Sequence, residues 1–207
     1  VPFWQHKKVS ETFQNSFNAA DCYSDITGSE RAAYITDNNE AMICRLRMFA
    51  AARDQIKLST FEILADDRGK DVFAALLQSA ERGVQVSMLT DGINGVLELW
   101  GNEWFEAVAS HPNITFKIYN PRSLLKPDKL QASLHDKYII IDDQMYLLGG
   151  RNTNNLFLGQ YRKRQNIDRE LLMYDTDPGS DSALRQLEAD IGQSCDMPDN
   201  TVDGGRE

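Results

Sequence analysis

The 207 residues are 42% hydrophobic and carry 22 Lys and Arg against 31 Asp and Glu, a net charge of −9. That length suits one compact domain with extensions. The lack of any apolar run of about 18 residues excludes a membrane-spanning helix, and the acidic balance argues against broad electrostatic binding to nucleic acid.

The chain starts VPFWQHKK, with neither an initiator Met nor the apolar core of a signal peptide, so upstream sequence is expected to be missing. Residues 1–29 read as a mixed polar extension without sustained periodicity, residues 30–195 as the domain, and residues 196–207 as a polar, linker-like tail containing Gly204 and Gly205. Arg31 to Thr36 is a short strand. Asp37 followed by Glu40 opens a helix that runs to Arg53 or Asp54, with Ile43, Leu46 and Ala50 sharing a face. Gln55 to Ile63 alternates as a strand. Asp67-Arg68-Gly69 reads as a turn, and Val72, Phe73, Leu76, Leu77 and Ala80 form a helical stripe closed by Gly83. Val84 to Leu89 is the next strand. Thr90-Asp91-Gly92 leads into a third helical stretch with Leu97, Trp100, Trp104 and Val108 on one face, read as core.

Asn113 to Tyr119 is a further strand, and the chain from Pro121 to Ala132 is loop, with Lys126 and Lys129 as ordinary loop charges. Tyr138 to Ile141 and Met145 to Leu148 are short apolar runs separated by Asp142-Asp143-Gln144, a hairpin signature. Asp168 to Tyr174 is the last strand and Ser182 to Ile191 the last helix. Strands alternating with helices in this way predict an α/β domain, its mixed and mostly parallel sheet flanked by helices on both faces. Cys22, Cys44 and Cys195 are too few and scattered for a disulfide framework or zinc site; Cys44 reads as core, and a Cys22–Cys195 pair is left open. His6 and His111 read as surface residues, and Tyr161, Arg162, Lys163 and Arg164 as a basic cluster, solvated or holding an anion.

The chemistry concentrates in His135-Asp136-Lys137-Tyr138-Ile139-Ile140-Ile141-Asp142 and in Gly149-Gly150-Arg151-Asn152. In a strand His135 and Lys137 project from the same face, so an imidazole and an ammonium can converge on one phosphate. Gly149 and Gly150 let the backbone turn tightly and approach a ligand closely, and Asn152 supplies a donor for a phosphoryl oxygen.

These residues resemble the phospholipase D superfamily, whose signature H-x-K-x4-D-x6-G-[SG]-x-N is filled by His135, Lys137, Asp142, Gly149, Gly150 and Asn152. Asp67-Arg68-Gly69, Glu81-Arg82-Gly83-Val84-Gln85-Val86, Leu89-Thr90-Asp91-Gly92 and Asp168-Arg169-Glu170-Leu171 resemble the flanking units of bacterial cardiolipin synthases.

The resemblance implies a phospholipase D-like domain over residues 30–195. It implies that His135 either attacks phosphorus to form a phosphohistidine or protonates the leaving alkoxide. Lys137 and Asn152 would hold the non-bridging oxygens. Asp168 would accept from the other imidazole nitrogen, and Asp142 would be structural. No metal or cofactor is implied.

The expected activity is phosphatidyl transfer or phospholipid hydrolysis at a membrane surface, with the full-length protein membrane-associated and this chain soluble. The alternatives are a nucleic-acid phosphodiesterase working as a single-motif homodimer, and a catalytically silent, phosphate-binding half. Because no second His-x-Lys-x4-Asp occurs, the site needs a partner: a second copy of the chain or, preferred here, a second motif in a missing C-terminal half.

Overall fold

The computed structural model describes residues 10–18, 20, 25–92, 101–119, 133–160, 164–177 and 182–187. Cys22, Cys195, His6, Leu97, Trp100, Lys126, Lys129, the Tyr161–Lys163 part of the basic cluster, Ile191 and the tail after residue 195 lie outside them.

A six-residue helix, α1 (Glu11–Ser16), sits within the expected irregular extension. Ser10 caps it by accepting from Phe13 N, and none of its residues is buried. From there β1 (Glu30–Ile35) leads into α2 (Asn38–Ala51), then β2 (Gln55–Thr60), α3 (Asp67–Glu81), β3 (Gln85–Asp91), α4 (Glu103–Ser110) and β4 (Ile114–Tyr119). The strands β5 (Tyr138–Ile141), β6 (Met145–Gly149) and β7 (Glu170–Asp175) follow.

Local chemistry sets the helix starts. Asp37 caps α2 by accepting from Asn39 N and Glu40 N, and Asp66 caps α3 by accepting from Gly69 N. The Asp67-Arg68-Gly69 triplet is therefore the first turn of α3 rather than a free turn. Gly69 is required there because a Cβ would stand 1.6 Å from the Leu64 carbonyl oxygen. Gly83 closes the helix with φ +96, a left-handed conformation that glycine adopts without strain.

The inward face of α2 differs from the expected one. Ala41, Met42, Arg45, Met48 and Phe49 are buried, whereas Ile43 is 39% exposed. Choosing the face by aliphatic side chains alone passed over the stripe containing Arg45, which is buried because it is paired with an acid from β7.

The seven strands form one sheet in the order β1-β7-β6-β5-β2-β3-β4. The mixed α/β class is as expected, but the balance of the sheet is corrected. Only β2–β3 and β3–β4 run parallel, while β1–β7, β7–β6, β6–β5 and β5–β2 are antiparallel. The βα units of the first half give parallel neighbours by crossover, and the hairpin half adds antiparallel strands that need no crossover.

Helices α2, α3 and α4 cover one face, where Phe49, Phe73, Leu76, Phe105 and Val108 meet Ile56, Leu58, Val86, Met88 and Phe116. On the other face Tyr138, Ile140 and Tyr146 pack with Leu184 of the helical residues 183–187. The Tyr138–Ile141 run is buried at every position because both faces above β5 are covered.

The β5–β6 connection is the three residues Asp142 to Gln144, with φ 52 at both Asp142 and Asp143 and Gln144 N donating to Ile141 O at 2.9 Å. Positive φ at both central positions is the primed turn that matches the strand twist. Cys44 is a free, half-buried thiol packed against the main core, and burial pushes its pKa up.

Candidate active site

Apart from Asp142, which lies at the opposite end of β5, the motif residues gather at the carboxyl ends of the parallel strands β2 and β3, where β5 enters beside β2, β6 ends at Gly149 and β7 begins at Glu170. A change of strand direction at carboxyl ends is where open α/β sheets bind ligands. His135 and Lys137 lie in the segment 133–137, which precedes β5.

Hydrogen bonds from β2, β3 and β6 hold that segment. Asp91, at the end of β3 and only 2% exposed, accepts from Ser133 Oγ at 2.7 Å and from Leu134 N at 2.9 Å. Ser59 Oγ of β2 donates to Asp136 O at 3.1 Å. Gly149 N donates to Lys137 O at 3.4 Å, carrying the β5–β6 ladder one step past the strand.

The His135 side chain is exposed, with its imidazole against the ring of Phe61. Lys137 is 9% exposed. Its ammonium donates to His135 O at 2.7 Å and lies 5.4 Å from the centre of the Phe61 ring. Both members of the His-x-Lys pair therefore reach the same aromatic side chain. Burial pushes the Lys137 ammonium below its usual pKa, while the Asp136 and Asp168 carboxylates pull the other way. Asn152 has its side-chain Oδ1, an acceptor, buried and without a hydrogen-bond partner among the described residues.

Asp168 is half-buried beside Gly150, and its Oδ1 accepts from Arg169 N at 2.7 Å. No hydrogen bond joins it to His135 among the described residues; its charge is felt at Lys137.

The two motif glycines have a packing role rather than a turning one, because neither has a positive φ. A Cβ on Gly149 would stand 2.3 Å from Glu170 Cγ, and one on Gly150 would stand 2.2 Å from Asp168 Oδ2. They let two acids of the following segment close against the end of β6.

Asp142 is tied down by more than its hairpin. Its carboxylate accepts from Arg53 N, Asp54 N and Gln55 N at 2.8, 2.9 and 2.8 Å, buckling the end of β5 to the α2–β2 connection. Asp142→Ala is expected to destabilise the chain by about 1–3 kcal/mol through the orphaned donors. An unchanged urea midpoint in the variant would remove this anchoring role.

Several residues of the site were missed in the sequence. Glu170 is 3% exposed and forms a bidentate pair with Arg45, Nη1 to Oε2 at 2.8 Å and Nη2 to Oε1 at 2.5 Å. Arg151 Nη1 lies 3.4 Å from the same carboxylate. The Arg151 guanidinium also donates to Asn38 Oδ1, Thr36 O and Asp168 O. Burial works against the Arg151 charge and Glu170 offsets it. This buried triad fastens the Gly150–Asn152 stretch to α2 and β7. A charged residue inside the inward stripe of α2 was the signal for Arg45. Phe61 carried none beyond its place at a strand end, and Asp91 carried only its place in the Leu89-Thr90-Asp91-Gly92 resemblance.

Residues 46–189 match the family model for the cardiolipin synthase, PLD-like domain. Cardiolipin synthase C of Escherichia coli (strain K12) is 30% identical over an alignment of 134 residues that covers 58% of this chain and 27% of that protein. Cardiolipin synthase B of Salmonella typhi is 32% identical over 114 residues, 54% of this chain and 27% of that protein. The chain thus matches about a quarter of the length of these curated relatives.

Among solved structures, NucT from Helicobacter pylori has a TM-score of 0.63 at 16% identity, covering 84% of this chain and 99% of that one. Nuc from Salmonella typhimurium, a phospholipase D family member, has a TM-score of 0.56 at 17% identity, covering 86% and 99%. At such identities these two likenesses speak for the fold. With the family model spanning residues 46–189 and the fold shared with these neighbours, the chain belongs to the phospholipase D superfamily, in its cardiolipin synthase-like branch.

Proposed function

We propose that this chain supplies one half of a phosphodiester-transfer site that acts on phospholipids, with His135 as its reacting residue and Lys137, Asn152 and Asp168 in support. The observation that carries this reading is the exposed imidazole of His135 beside a largely buried Lys137 ammonium at the carboxyl ends of β2 and β3.

In the reaction, one histidine attacks phosphorus and forms a P–N bond while the P–O bond to the leaving group breaks. A second histidine, on the opposite side, protonates the departing alkoxide. An acceptor alcohol or water then gives up a proton to that second histidine and displaces the first, releasing the new ester or acid. Lys137 and the Asn152 amide meet the charge that builds on the non-bridging oxygens, and partial burial of the ammonium makes that interaction stronger than it would be in water. Asp168 is assigned to orienting the imidazole once substrate is bound.

The second histidine comes from a second half: a C-terminal half of a longer chain, which is preferred, or a second copy. A phospholipid substrate fits the acidic composition better than nucleic acid does, and membrane association then follows from the substrate. The test compares turnover of phosphatidylglycerol or phosphatidylethanolamine vesicles, with an alcohol acceptor, against cleavage of a fluorescent single-stranded oligonucleotide. Lipid turnover is expected from the assembly with its second half, and none from the isolated chain, which light scattering should show as monomeric or weakly dimeric. Cleavage of the oligonucleotide alone would replace the phospholipid with a nucleic-acid substrate. A stable, fully active dimer of the isolated chain would replace the missing half with a second copy.

A further inference from the structure

Phe61 follows the last residue of β2 and is half-buried, yet it belongs to neither of the two apolar core clusters among the described residues. Its ring lies 5.1 Å from the His135 imidazole, centre to centre, at an interplanar angle of 51°. The same ring has the Lys137 ammonium 5.4 Å from its centre. One aromatic side chain thus touches both charge-bearing groups of the motif.

The backbone around Phe61 is held firmly enough to fix that ring. Thr60 Oγ1 donates to Glu62 O at 2.9 Å, Thr153 N to the same oxygen at 3.0 Å, and Leu64 N to Thr153 O at 3.1 Å. Asn154 Nδ2 donates to the Glu62 carboxylate. The segment carrying Phe61 is therefore laced to the one that follows Asn152.

Building on the phosphodiester-transfer reading, we infer that Phe61 is a positioning residue of the site. Its ring sets the separation of the His135 imidazole and the Lys137 ammonium, and it forms the apolar wall beside the phosphoryl group. The negative face of an aromatic ring attracts an ammonium without competing for phosphate oxygens, as a carboxylate would. A ring against one side of the imidazole limits its rotation and keeps water off that side, which matters because small misplacements of a reacting group cost rate heavily.

The test uses Phe61→Leu and Phe61→Tyr in the chain assembled with its second half, with His135→Asn as control. Phe61→Leu keeps apolar bulk but loses the aromatic face. Its kcat should fall roughly tenfold with KM little changed, as expected for loss of a cation–ring contact. Phe61→Tyr keeps the face and should hold kcat within about threefold of wild type. In the isolated chain, the His135 ring resonances, shifted by the aromatic ring current, should move in Phe61→Leu and stay in Phe61→Tyr; this readout needs no turnover.

Wild-type kcat in Phe61→Leu, equal loss in both variants, or unmoved His135 resonances would each overturn the positioning role. If Phe61→Leu also lowers the thermal midpoint, the Tyr variant and the resonances decide. Turnover surviving in His135→Asn would instead sink the underlying reading, so the two failures are told apart.

Discussion

Glu170→Ala is expected to destabilise the chain by about 3–5 kcal/mol, the usual cost of stripping one partner from a buried ion pair. The cost is large because the Glu170 carboxylate faces two arginines, and the side chains of Glu170, Arg45 and Arg151 are 2%, 5% and 0% exposed. Neither guanidinium can shed its proton to escape the loss, since arginine stays charged at any accessible pH. Among the described residues Arg45 Nε and Arg151 Nη1 already lack hydrogen-bond partners, so little local compensation is available. Set against a typical total of about 5–15 kcal/mol for a domain, such a loss leaves a marginal fold. Urea unfolding followed by circular dichroism measures it; a shift equivalent to less than about 1 kcal/mol would mean the triad contributes no more than a surface pair.

The triad also marks where the sequence stops being legible. The motif could be read because it is local: His135, Lys137 and Asp142 carry their meaning in spacing, and the adjoining Asp142-Asp143-Gln144 stretch announces a hairpin that the structure contains. The start of α2 was legible for the same reason, since Asp37 and Glu40 are close in sequence.

Glu170 was not legible. It stood in the sequence only as part of the Asp168-Arg169-Glu170-Leu171 resemblance, and the fold alone, closing a 125-residue separation to Arg45, gives it a buried partner. The strand directions failed on the same ground. An apolar run such as Tyr138–Ile141 says that both faces are covered but not whether its neighbour runs parallel, and β5 lies antiparallel to β2. Gly149 and Gly150 were recognised as required residues, yet the reason lies in Glu170 and Asp168 across the β6–β7 ladder rather than in a turn. Phe61 and Asp91 stand 74 and 44 positions before His135 (135 − 61 and 135 − 91), and their bearing on the site appears only when β2, β3 and the segment before β5 are brought together.

The most direct measurement is the turnover of phosphatidylglycerol by the assembly carrying His135→Asn in this half, alongside its melting curve. The imidazole is exposed, makes no hydrogen bond among the described residues, and touches the Phe61 ring, so its loss removes little packing. As nucleophile or as acid, however, it handles a bond that must form or a proton that must move in every cycle. Turnover is therefore expected to fall by roughly 10³-fold or more, with the thermal midpoint nearly unchanged. Turnover at the wild-type rate in a folded His135→Asn assembly would contradict the assignment of His135 to the reaction.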